Sequence, residues 1–135
     1  MRKFTAFVTA GILVPFAGVA YAAQLISPPL WSEFNNSAAC YIRNSGNTAV
    51  AVQVKIYDNF GPNNPLTPSF QNCNNAPLPA GRTCVVLVSV SGLPDSSFVG
   101  CMVTGDALGK IRGTLEIRES TPGLPFRVTV AEDLR

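Results

Sequence analysis

Ile111, Gly113, Leu115 and Ile117 alternate with Arg112, Thr114, Glu116 and Arg118. Side chains two apart share a face of a β-strand, so this period predicts a strand with one dry and one wet face. Val50, Val52, Val54 and Ile56 alternate in the same way with Ala51, Gln53, Lys55 and Tyr57, as do Phe126, Val128 and Val130 with Arg127, Thr129 and Ala131. Cys84 to Val90 is almost wholly apolar and rich in valine, which predicts a strand covered on both faces or central in its sheet. Ala38 to Arg43 and Phe98 to Thr104 complete the set, and Gln24 to Ile26 adds an edge strand stopped by Pro28 and Pro29.

Turn chemistry separates these runs. Asn44-Ser45-Gly46-Asn47 reads as a hairpin turn between the first two full strands. Ser91 to Asp95, Gly105 to Gly109 and Ser120 to Gly123 punctuate the remainder. No window has a helical period free of Gly and Pro. Six to seven short strands at this spacing predict an all-β, antiparallel β-sandwich, with a small closed barrel as the alternative. There is no internal repeat, so residues 23–135 read as a single domain. One stretch breaks the pattern: from Asn59 to Ala80 prolines and asparagines preclude regular strand pairing. A loop of this length is either an irregular cross-sheet connection or a recognition element, with Phe60, Leu66 and Phe70 placed to pin it to the sandwich.

The N-terminus obeys a different logic. Arg2 and Lys3 precede an uncharged, mostly apolar run from Phe4 to Val19, and Ala20-Tyr21-Ala22 supplies the small-x-small pattern of a cleavage site. This order predicts a secretory signal peptide over residues 1–22. An uncleaved membrane anchor is the rival, disfavoured by Pro15, Gly18 and the cleavage pattern. Removal of Arg2 and Lys3 would take the formal net charge from +2 to zero. A neutral chain without a Lys/Arg cluster lacks the electrostatic footprint of a nucleic-acid or anionic-membrane binder, and no stable membrane insertion is expected after the leader is removed. The expected location is outside the cytoplasm: periplasm, cell surface or medium.

An exported chain meets an oxidising compartment, and four cysteines there predict two disulfides with three possible pairings. Cys73 and Cys84 flank a turn-rich stretch that can bring its ends together, whereas Cys40 and Cys101 each share a face with apolar strand neighbours and point into the core. Cys40–Cys101 with Cys73–Cys84 is therefore the favoured arrangement. A metal reading finds no Cys-x-x-Cys or Cys/His spacing to support it.

Chemistry is thin elsewhere. The chain contains no histidine, which removes Ser-His-Asp and Cys-His catalysis, imidazole metal sites and histidine pH switches. Asp58-Asn59 with Asn63-Asn64 offers too few carboxylates for calcium, and Asx residues are ordinary turn formers. Glu116 is a solvated charge beside Arg118, and Glu119 lies at the strand's end; no cleft is predicted for them to serve as an acid–base pair. No serine sits in Gly-x-Ser-x-Gly. Asn35-Asn36-Ser37 matches a glycosylation acceptor. Trp31 and Phe34, just after the proline pair, read as a plug over the open end of the sandwich or, in the sharper view, as surface aromatics for a partner or sugar. Trp31, Phe34, Phe60 and Phe70 are thus the candidate contact residues. No catalytic set and no cofactor are expected.

Ser27-Pro28-Pro29, Cys40-Tyr41-Ile42-Arg43-Asn44, Val54-Lys55-Ile56-Tyr57-Asp58, Leu78-Pro79-Ala80-Gly81-Arg82-Thr83-Cys84, Cys101-Met102-Val103-Thr104-Gly105 and Arg112-Gly113-Thr114-Leu115-Glu116-Ile117 together resemble motifs of small exported bacterial proteins of unknown function. The resemblance spans most of residues 23–135 and implies an immunoglobulin-like sandwich, with no assigned activity. The expected function is a non-catalytic accessory or structural module acting through contacts with an unknown protein or glycan. The alternatives are a carbohydrate-binding module stacking sugars on Trp31, Tyr41 or Tyr57, and a pilus-like or filament subunit.

Overall fold

The computed structural model describes residues 23–32, 36–59, 61, 63–90, 97–119 and 127–134. The expected leader over residues 1–22, Phe34, Phe60, Phe126, Asn35 of the acceptor pattern and the expected turns at 91–95 and 120–123 lie outside the described residues.

The described chain is all-β, in two antiparallel sheets packed face to face. The strands are β1 (Ala23–Ile26), β2 (Leu30–Ser32), β3 (Asn36–Asn44), β4 (Val52–Tyr57), β5 (Phe70–Gln71), β6 (Thr83–Ser89), β7 (Ser97–Gly105), β8 (Ile111–Glu119) and β9 (Arg127–Asp133). A 3-10 turn at Leu108–Lys110 links β7 to β8. The larger sheet runs β5-β6-β3-β8-β9; in the smaller one β7 is central, with β4 along one edge and β1 and β2 along the other. The period-two pattern is visible in burial: Val52, Val54 and Ile56 are buried while Gln53 and Lys55 are exposed. In β8, Ile111, Gly113, Leu115 and Ile117 face inward.

Between the sheets lies one apolar core. Ala38, Cys40 and Ile42 of β3 face Val99, Cys101 and Val103 of β7, all fully buried. A disulfide joins Cys40 to Cys101 and so crosses from one sheet to the other; a second joins Cys73 to Cys84 beside β6. This is the arrangement favoured from the strand faces and the turn-rich ring. Loop-closure entropy assigns the longer link about 4 kcal/mol and the shorter about 3 kcal/mol.

The structure revises several sequence expectations. Asn44 to Asn47 is not a hairpin turn: β3 pairs with β6 and β8, β4 pairs with β7, and the segment carries the chain between sheets. Asn44 is fully buried and organises that crossing. Its Nδ2 donates to the carbonyls of Thr48 (2.7 Å) and Leu78 (3.0 Å), and its Oδ1 accepts the Gly46 N–H (2.9 Å). An Asn followed by Ser-Gly-Asn looks the same whether it bends a hairpin or caps a crossover. β6 is flanked by β5 and β3 and so is interior to its sheet, one of the two readings expected, while its outer face is only half-covered at Val85 and Leu87. Two strands escaped the pattern altogether. β5 is too short to show a period, and β2 follows the proline pair that was expected to end pairing.

β1 and β2 are in fact one edge strand with a bulge. Ile26 pairs with Met102 and Leu30 with Val99, so three residues stand opposite two. Pro28 and Pro29 supply no N–H, and Ser27 repairs the ladder. Its N–H donates to the Cys101 carbonyl (2.9 Å) and its Oγ accepts the Cys101 N–H (2.9 Å), with Ser27 only 2% exposed. Replacing Ser27 by Ala strands a buried N–H beside the inter-sheet disulfide. The expected loss is about 1–3 kcal/mol of stability, read as a lower denaturant midpoint at unchanged slope.

Candidate functional site

Period two also dictates what the smaller sheet shows to solvent. With Val99, Cys101 and Val103 inward, the outward positions of β7 are Phe98, Gly100, Met102 and Thr104. Their cross-strand partners Trp31, Tyr57, Lys55 and Ile26 stand on the same face. Trp31 and Phe98 are directly opposed, 47% and 46% exposed, with ring centroids 5.0 Å apart at an interplanar angle of 78°. This edge-to-face geometry places the positive ring edge of one against the negative face of the other, a contact of about 0.5–1.5 kcal/mol beyond area burial. Asn59, just past β4, accepts the Phe98 N–H on its Oδ1 (2.6 Å) and fixes the backbone beneath the pair.

The next row along the sheet holds Tyr57 opposite Gly100. A Cβ on Gly100 would collide with the Tyr57 ring, so glycine is what lets the phenol lie down on β7. Burial there disfavours the phenolate and raises the Tyr57 pKa above its ordinary value of 10.0. Ile26 and Met102 follow in the row beyond, both half-buried. The result is an apolar strip from Trp31 and Phe98 through Tyr57 to Met102 and Ile26, bordered by exposed Lys55 and by Gln24, Gln53 and Thr104 in the next row.

Trp31 is therefore not a plug over the end of the sandwich. β2 alternates Leu30 and Ser32 inward with Trp31 outward. Phe98 was not singled out from sequence, although its offset from Val99 and Cys101 puts it on the wet face, where a phenylalanine is out of place. Phe70 lies elsewhere, opposite Leu87 on the outer face of the larger sheet and 51% exposed, so it does not pin the long loop. Leu66 does, packed against the core. The structure thus brings together only Trp31 among the described candidates and the unexpected Phe98.

On the larger sheet's outer face the β8 stripe is polar and paired within itself, while Phe70, Leu87 and Val85 form an apolar margin along β5 and β6. Arg118 pairs with Glu116 (2.9 Å), lies 5.1 Å over the Tyr41 ring and donates to its hydroxyl; Thr114 bonds Asp133 (3.0 Å). Tyr41 is thus on the opposite side of the molecule from Trp31 and Tyr57, and the three do not form one stacking platform. Asn59, a candidate oxygen ligand, is engaged by Phe98, and among the described residues no cluster of three metal-ligating side chains occurs. No helix among them is long and apolar enough to cross a membrane.

Comparison with protein-family models, with curated proteins and with solved structures gives no match.

A raised Tyr57 pKa means that the folded state holds this proton more tightly than the unfolded one. Its contribution is complete below pH 10 and lost as pH rises through the folded value. Alkaline unfolding should therefore be steeper in the native protein than in Tyr57→Phe, with the highest-pH phase of phenolate absorbance at 295 nm missing from that variant.

Proposed function

We propose that this protein is a non-catalytic, exported contact module, and that it engages a protein partner through the Trp31–Phe98 face of its smaller sheet. The observation that carries the proposal is the pair itself. Two large aromatics, each nearly half exposed and held rigidly by strand pairing, are placed where a partner can bury them. Rigid aromatics lose little conformational entropy on binding and are enriched among the residues that dominate interface energies. Half-covered Tyr57, Met102 and Ile26 extend the same face, giving it the apolar centre of an interface. The absence of histidine from the chain supports the non-enzymatic part. The leader-like N-terminus and the disulfides support export.

An immunoglobulin-like ancestry draws support from the buried disulfide between inner strands of opposite sheets. Lettered in that scheme, β5-β6-β3 would be D-E-B and β4-β7 would be C-F. The first strand and the strand after F have exchanged sheets: β1 and β2 join β7, and β8 joins β3.

Site-specific photo-crosslinking in the native envelope tests the contact. A crosslinker at position 31 or 98 should capture a discrete protein, whereas one at position 70 should not. The double change Trp31→Ala with Phe98→Ala should reduce recovery of that protein at least tenfold while leaving the thermal midpoint within a few degrees. Capture from position 70 alone, capture only of glycan, or a turnover activity abolished by one side-chain change would each overturn the proposal.

A further inference from the structure

The free edge of β4 is not bare; the long loop covers it, but with gaps. In an antiparallel ladder alternate residues point their N–H and C=O to opposite sides. Ser27 receives both backbone groups of Cys101, so odd residues of β7 face β1 and even ones face β4. It follows that Gln53, Lys55 and Tyr57 bond β7, while Val50, Val52, Val54 and Ile56 turn their backbone groups outward. The loop meets three of these four. Leu78 exchanges both bonds with Val50 (3.0 and 2.8 Å), and the Leu66 N–H donates to the Ile56 carbonyl (2.8 Å). Val54 is met by a side chain: Asn74 Oδ1 accepts its N–H (2.8 Å) and Asn74 Nδ2 donates to its carbonyl (3.1 Å).

Ile56 keeps its carbonyl bond, whereas Val52 has neither outward group met: among the described residues no loop group hydrogen-bonds its outward N–H or C=O. Its side chain is in the core and the residue is 6% exposed, yet it lines an open groove of about 430 Å³ with Gln53, Asn74, Asn75, Thr104 and Asp106. What Val52 shows the groove is therefore its main chain, one donor and one acceptor side by side.

We propose that this notch binds a primary carboxamide. Two residues along the same edge, Asn74 demonstrates the fit, since a carboxamide carries its C=O and one N–H on the same side and satisfies both strand groups at once. A carboxylate cannot, because it has no hydrogen to give and would oppose the Val52 carbonyl. A single trans secondary amide cannot either, because its N–H and C=O point in opposite directions; an extended residue needs two peptide groups to do it, as Leu78 does for Val50. The groove is wide enough for the stem of a glutamine or asparagine, and Gln53, Asn75, Thr104 and Asp106 offer further polar partners. The proposal does not depend on the aromatic face.

Titration of the ¹⁵N-labelled protein followed by amide chemical shifts tests it. L-glutamine should move the Val52 N–H resonance saturably, with smaller movements at Gln53, Asn75 and Thr104, and L-glutamate should bind at least tenfold more weakly. A glutamine residue within a peptide blocked as an N-acetyl, C-methylamide should be titrated in parallel. The same blocked peptide with glutamate in place of glutamine controls for backbone pairing of the kind Leu78 makes with Val50. Response to the glutamine peptide and not to the glutamate one identifies a protein-borne carboxamide, and response to the free amino acid alone a small solute. Ala76→Trp, at an exposed groove-lining loop position, should block the notch and weaken binding at least tenfold. Equal response to glutamine and glutamate, no movement at Val52 with any probe, or an unchanged titration in Ala76→Trp would overturn the assignment.

Discussion

The Cys40–Cys101 bond is the constraint around which the rest is arranged. It links β3 and β7, central strands of opposite sheets, at positions where neither residue has any exposed surface. Once those strands are fixed face to face, period two does the remainder. It sends Val99 and Val103 into the core with Cys101 and leaves Phe98, Gly100 and Met102 outside. The same bond makes Ser27 matter, since the residue it stabilises by hydrogen bonding is half of the link. Covalent chemistry, ladder repair and the exposed aromatic pair are thus three outcomes of a single register.

The two faces of the sandwich have been treated differently. Outside the larger sheet, charge and hydroxyl groups satisfy one another: Arg118 serves Glu116 and Tyr41, and Asp133 receives Thr114. Outside the smaller sheet, no comparable network among the described residues covers Trp31 and Phe98, and charged Lys55 stands on the same face. The Trp31–Phe98 pair stabilises the junction of β2 with β7 by its edge-to-face contact, while about half of each ring remains open to solvent.

Most of the architecture was legible in the sequence because it is written in alternation, which survives without long-range information. β4, β6, β7 and β8 lie within two residues of where valine and isoleucine spacing put them. What was not legible depends on partners chosen across the chain. The crossing at Asn44 needs the carbonyl of Leu78, thirty-four residues away. The continuation of the edge strand past Pro28 and Pro29 needs the Cys101 amide. Phe70 was read as an anchor because aromatics are usually buried, but its strand is two residues long and sits at a sheet margin. Trp31 was read as a plug for the same reason, although its own neighbours Leu30 and Ser32 already assigned it outward. The aromatic face became visible only when two strands distant in sequence were set side by side, and the Val52 notch only when every edge hydrogen bond was assigned.

Asn74 has one more implication. It follows Cys73, so a covalent ring holds in place the amide that stands in for a missing strand along β4. A carboxylate at this position would set an anion against the Val54 carbonyl, whereas the amide gives it a hydrogen. The seal on this edge therefore depends on the neutrality of one side chain held by an eleven-residue disulfide span.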